Sequence, residues 1–88
     1  MEFQWDKRKA ATNVSKHAVR FEDAKPVFED PNALELYQRI DGEDRWFRVG
    51  HNGSKILVVV YTETARGTIR IISAREATKD EKKRYRQR

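Results

Sequence analysis

No cysteine occurs in these 88 residues. Disulfides, thiolate zinc sites and thiol nucleophiles are excluded, and the composition fits a reducing compartment. Apolar residues are scarce as well, at 38%, so the core must be thin and concentrated in Ile56–Tyr61 and Ile69–Ile72. The opening Met1–Asp6 has no apolar stretch of signal-peptide length, and no apolar run approaches a membrane span. The chain therefore reads as a cytoplasmic protein with no membrane partner. Histidine is limited to His17 and His51, without a second imidazole or an acidic cluster at ligand spacing, so no metal site is expected. Glycine-rich phosphate loops, dinucleotide fingerprints and nucleophile elbows are also missing, and no cofactor is implied.

What is present is charge. Lys, Arg, Asp and Glu make up 38% of the chain and give a net charge of +5. Residues 66–88 hold nine Lys/Arg against three Asp/Glu, so the basicity belongs to the C-terminal quarter. This asymmetry points to a polyanionic or strongly acidic partner, through counterion release if the partner is a nucleic acid. One domain spanning 1–88 is expected, since half of so short a chain could not offset its backbone entropy.

The hydrophobic pattern divides the chain into a helical first third and a strand-rich remainder. Phe3 and Trp5 alternate as a short strand, and Asp6 is a helix N-cap. The helix should run to about His17 with Ala10, Val14 and His17 on one face. A second short helix over 21–28 would turn Phe21, Ala24 and Phe28 inward, although Pro26 removes a donor there. Asp30-Pro31-Asn32 is a turn. Strands follow over 34–40, 45–49, 55–63 and 68–73, joined by turns at 41–43, 50–53 and 64–67. Such short connections imply an antiparallel meander. Residues 55–63 are apolar on both faces, so both must be covered. Thr78 and Glu81 have capping-box spacing for a basic C-terminal helix. The fold class is α+β: an antiparallel sheet with two N-terminal helices and a short C-terminal one.

Cationic side chains at a sheet end suit phosphodiester chemistry, because a planar guanidinium can bind two phosphate oxygens. Arg70 and Arg75 lead. Each has a plain alternative, Arg70 as a solvated strand residue and Arg75 as an ion pair with Glu76 or another acid. Strict alternation places them on opposite faces, so a shared site requires the strand to end or bulge near Ser73. Lys16 and His17 either cap the first helix through its dipole or serve in proton transfer, for which an imidazole is suited. Lys9 could extend a phosphate-binding stripe or lie on a solvated face. Thr62, Glu63 and Ser73 offer hydroxyl and carboxylate groups at strand ends. Tyr85 could stack on a base, but packing accounts for it more simply.

Over almost its full length the chain resembles the BrnT toxin family. The resemblance is carried by Phe3-Gln4-Trp5-Asp6, Lys9, Asn13, Lys16-His17, Phe21, Ala24, Val27-Phe28 and Asp30-Pro31. It continues through Arg45, Val49-Gly50, Leu57–Thr62, Ala77 and Tyr85, with Arg70–Arg75 as its strongest block. It implies a RelE-like fold and a toxin that cuts RNA without a metal. In that chemistry the ribose 2′-hydroxyl attacks the adjacent phosphate while basic side chains stabilise the developing charge. Arg70 and Arg75 would stabilise, and Lys16, His17 or Glu63 would carry protons. Lys9, Thr62, Ser73 and Tyr85 would contact RNA.

The implied partner is a BrnA-like ribbon-helix-helix antitoxin, which would shield the basic site and link the toxin indirectly to operator DNA. The competing reading is a non-catalytic basic module, or a corepressor within an antitoxin–DNA complex. Two departures from the family concern the backbone. Ala18 stands where glycine usually follows Lys-His, and Pro26 interrupts the second helix.

Overall fold

In the computed structural model, which describes residues 1–87, five strands form one sheet in the order β1-β5-β4-β3-β2. The strands are β1 (Phe3–Gln4), β2 (Leu34–Ile40), β3 (Glu43–His51), β4 (Ile56–Glu63) and β5 (Ile69–Glu76). Helix α1 (Lys7–His17) follows β1, a 3₁₀ helix spans Phe21–Glu29, and α2 (Lys79–Gln87) follows β5. Strands β2 to β5 form the expected antiparallel meander. The sheet as a whole is mixed, because β1 pairs parallel with β5, Phe3 opposite Ile69 and Gln4 opposite Arg70. Among the described residues no helix is long and apolar enough to cross a membrane.

Only one of the two expected N-terminal helices is an α-helix. Lys25 is disfavoured in α conformation before Pro26, and Pro26 has no N–H to donate, so residues 21–29 wind more tightly. Winding at three residues per turn moves the buried stripe from 21, 24 and 28 to Phe21, Ala24 and Val27, all fully buried, while Phe28 is half-buried.

That stripe covers one face of the sheet, over Leu57, Val59, Ile71 and Ala74. Each large side chain sealed there contributes about 1.5–3 kcal/mol. Arg48 ties the 3₁₀ helix to β3, donating from Nε to Val27 O at 3.0 Å and from Nη2 to Asp30 O at 3.1 Å. Its Nη1 pairs with Glu35 at 3.3 Å. Glu35 in turn accepts a hydrogen bond from the Tyr61 hydroxyl. Burial, with that contact, pushes this hydroxyl above its ordinary range.

The opposite face is covered at one end only. There α2 closes over Val49, Ile56 and Val58 with Ala77 and Tyr85. Beyond that end the face is open among the described residues, and Leu36 is 64% exposed.

Turn chemistry sets the strand limits. Asp41 and Gly42 both take positive φ, 50° and 79°, which makes a two-residue hairpin with matching twist. As a result β3 starts at Glu43, two residues before the expected Arg45. It also extends past Gly50, where a Cβ would meet Val27 Cγ1 at 3.0 Å and Ala33 Cβ at 3.1 Å. Strand β5 runs to Glu76 instead of Ser73, because Leu57–Val60 supply partners for it.

Candidate functional site

Helix α1 begins where Asp6 accepts hydrogen bonds from Arg8 N at 2.8 Å and Lys9 N at 3.0 Å. The Lys9 N–H holds this carboxyl below its usual range. The helix ends at Ala18 in the left-handed conformation, φ 57° and ψ 30°, with its N–H on Val14 O. Glycine would take this geometry without strain.

The expected inward face of Ala10, Val14 and His17 is not the one used. Ala10 is half-buried, Val14 and His17 are exposed, and Asn13 is the buried residue. The reason lies in the sheet edge. Strand β1 covers β5 only at Ile69 and Arg70, leaving backbone groups farther along in need of partners. The Asn13 amide supplies them: Nδ2 donates to Ala74 O at 2.7 Å, and Oδ1 accepts from Ala74 N at 3.0 Å. Nδ2 also donates to Val19 O at 2.9 Å. One side chain thus docks the helix along the strand. A polar residue on the inner side of an amphipathic helix is the sequence sign that Asn13 carried.

Between α1 and β5 lies a cleft of about 260 Å³ lined by Arg8, Lys9, Lys16, His17, Ile72 and Ser73, with no Asp or Glu in its wall among the described residues. The structure therefore gathers Lys9, Lys16, His17 and Ser73 and adds Arg8. Lys16 and His17 also occupy the last turn of α1, where the helix dipole favours cations.

A bulge determines what else shares this region. Val60 faces Ser73 but Tyr61 faces Ile71, so Ile72 is the extra residue. The expected alternation of residues 70 and 75 is thereby reversed. Arg70, Ser73 and Arg75, opposite Thr62, Val60 and Val58 respectively, all project from the partly open face. Ser73 joins that face to the cleft.

Arg70 and Arg75 nevertheless stand apart. Their partners Thr62 and Val58 are four residues apart on β4, or about 13 Å along the strand. Arg75 is fixed by two hydrogen bonds to Glu81, Nη1–Oε1 at 2.7 Å and Nη2–Oε2 at 2.9 Å. That guanidinium holds the Glu81 carboxyl at about 2, well below its ordinary value. The pair lines a second groove of about 520 Å³, with Arg84 and the apolar Leu36, Phe47 and Val58. Arg70 lines neither concavity.

Two residues are placed away from these clusters. Glu63 is exposed at the end of β4, and alternation turns it from the face that carries Thr62 and Arg70. Tyr85 is buried in the α2 contact, with its hydroxyl on Asp30 Oδ2 at 2.6 Å. Its ring packs against the sheet and is not available to stack on a base. Asp30 Oδ2 also accepts from His51 N at 2.8 Å, linking α2 to β3.

Residues 5–81 match the family described as ribonuclease toxin, BrnT, of type II toxin–antitoxin systems. The chain belongs to the BrnT family. A solved relative is the ribonuclease toxin BrnT of Brucella abortus, which is 27% identical and superposes with a TM-score of 0.72. That likeness covers 90% of this chain and 99% of the Brucella chain. No curated protein matches. The BrnT match begins at Trp5 and ends at Glu81, so it takes in the whole α1–β5 cleft and the Arg75–Glu81 pair.

Proposed function

We propose that this chain is the toxin of a type II toxin–antitoxin pair and acts as a metal-independent endoribonuclease. Family membership supports the class of activity. The single observation that carries the site assignment is the acid-free cleft where Arg8, Lys9, Lys16 and His17 converge beside Ser73.

RNA phosphates sit along this cleft and the adjoining open face, held by the ammonium and guanidinium groups. The 2′-hydroxyl attacks the neighbouring phosphorus. A new O–P bond forms as the bond to the 5′-oxygen breaks, leaving a cyclic phosphate and a 5′-hydroxyl. His17 is the preferred proton carrier, since its imidazole lines the cleft and each of its ring nitrogens can give or take a proton. Lys16 lies beside it, whereas Glu63 is turned away. Arg70 stabilises charge on the phosphate oxygens. Arg75, oriented by Glu81, binds a flanking part of the substrate. A ribbon-helix-helix antitoxin neutralises the toxin by covering these cationic groups, and through it the toxin reaches operator DNA.

Incubation of purified protein with single-stranded RNA in EDTA tests the reading. Cleavage should persist in EDTA and fall by roughly 10²-fold or more in His17→Ala, with losses in Lys16→Ala and Arg70→Ala. RNA binding without cleavage would favour the non-catalytic module, and cleavage abolished by EDTA would overturn the metal-independent chemistry.

A further inference from the structure

The open face carries one more guanidinium aligned with Arg70. Gln38 stands opposite Arg45. The β3–β4 register that sets Trp46 opposite Tyr61 brings Arg45 beside Thr62, and Thr62 faces Arg70. Gln38, Arg45, Thr62 and Arg70 therefore form one polar row across four strands. The next row, Leu36, Phe47, Val60 and Ser73, is apolar until it reaches the serine. With strands about 4.8 Å apart, the Cα atoms of Arg45 and Arg70 are separated by about 10 Å, with Thr62 midway.

The hydrogen bonding of the sheet arginines separates them into two kinds. Arg48 and Arg75 each have their fork engaged by carbonyl or carboxylate acceptors, and Arg39 holds Asp44 at 2.8 Å. Arg45 has a long 3.4 Å contact from Nη2 to Glu43, a carboxylate whose side chain is 67% exposed. Its Nε is buried and has no hydrogen-bond partner among the described residues. The Arg70 side chain makes no hydrogen bond or ion pair among the described residues and acts on Asp6 only through space. A buried donor without an acceptor is rare in folded proteins and calls for a ligand or water. Planar forks with free donors fit the oxygens of a phosphodiester.

We propose that Arg45 is a phosphate-binding residue that clamps one RNA phosphodiester together with Arg70, over the Thr62 hydroxyl. The guanidinium that works with Arg70 is then Arg45, one row across the sheet, and not Arg75, which Glu81 already occupies. This assignment rests on the RNA-cleaving reading given above.

A 2′-O-methyl oligoribonucleotide cannot undergo 2′-hydroxyl attack and so reports binding alone. Its affinity is measured for the wild type, Arg45→Gln, Arg70→Gln, the double variant and Arg20→Gln, an exposed surface control with a long 3.8 Å contact to Glu22. Arg45→Gln and Arg70→Gln should each weaken binding about tenfold, the scale of a lost charge-assisted contact. The double variant should lose less than the product of the two, because both groups hold the same anion. Equal affinities for Arg45→Gln and Arg20→Gln would overturn the clamp. So would a variant that loses antitoxin binding yet keeps RNA affinity.

Failure of the wild type to bind RNA at all would instead defeat the nuclease reading, and the clamp with it. RNA binding that needs Lys16 and Arg70 but not Arg45 would defeat the clamp alone. Should Arg45→Gln fail to fold, Arg45→Lys decides: it keeps the charge but lacks the fork, and affinity equal to wild type would refute a two-oxygen contact.

Discussion

Replacing Ala18 by glycine should stabilise this protein. Ala18 holds φ 57° and ψ 30° at the end of α1, a conformation that costs an L-residue with a Cβ about 1–2 kcal/mol. Glycine removes that strain but adds about 0.4–1 kcal/mol of freedom to the unfolded chain. The methyl group is exposed, so its loss opens no void. The net gain is about 0.5–1 kcal/mol, which corresponds to a Tm rise of about 3–6 °C for a domain of this size. Thermal unfolding followed by circular dichroism at matched pH and salt reads this directly. Ala18→Asn separates the causes, because asparagine tolerates the left-handed region without the added chain entropy and should also raise Tm. An unchanged or lowered Tm in both variants would refute the claim that the backbone at residue 18 is held left-handed.

Asn13→Ala should cost about 2–4 kcal/mol in urea unfolding, since it strips partners from both Ala74 backbone groups and from Val19 O, each worth about 1–3 kcal/mol when buried. Gly50→Ala should destabilise by about 1–3 kcal/mol through overpacking against Val27, Ala33 and Asp30, seen as a shifted denaturation midpoint. The third test is pH. Because the folded Glu81 carboxyl lies below its ordinary 4.5, at about 2, the stability it lends is complete above that ordinary value and is lost as pH falls between the two. Allowing for solvent screening of this partly exposed pair, the loss is about 1–2 kcal/mol. Glu81→Gln should flatten that part of the stability profile, and an unaltered acid limb would contradict the coupling.

Local chemistry made much of the fold legible. Asp6 caps α1, and Thr78 with Glu81 forms the reciprocal capping box, Glu81 N on Oγ1 at 3.2 Å and Thr78 N on Oε1 at 2.8 Å. Leu34–Ile40 is a strand with the bounds its pattern gives. What escaped the pattern is non-local. Parallel pairing of β1 with β5 depends on an edge that no short window contains. Asn13 meets Ala74 across 61 residues, so its inner position reads as a defect until the strand edge is known. At the site, Lys16, His17, Lys9 and Ser73 were readable as residue types, and the need for a bulge near Ser73 followed from alternation. Which cation accompanies Arg70 was not, because cross-strand rows depend on register, and the row containing Arg45 exists only once β3 and β4 are aligned.

The long span of the Asn13 bridge bears on when the molecule becomes dangerous. The cleft takes its walls from residues 8–17 and 72–73, with the whole of β2, β3 and β4 between them in the chain. A nascent chain leaving the ribosome therefore carries half of the groove while those three strands are made. Translation itself delays assembly of the cleft, and an antitoxin can first meet it whole once Ser73 has joined the sheet.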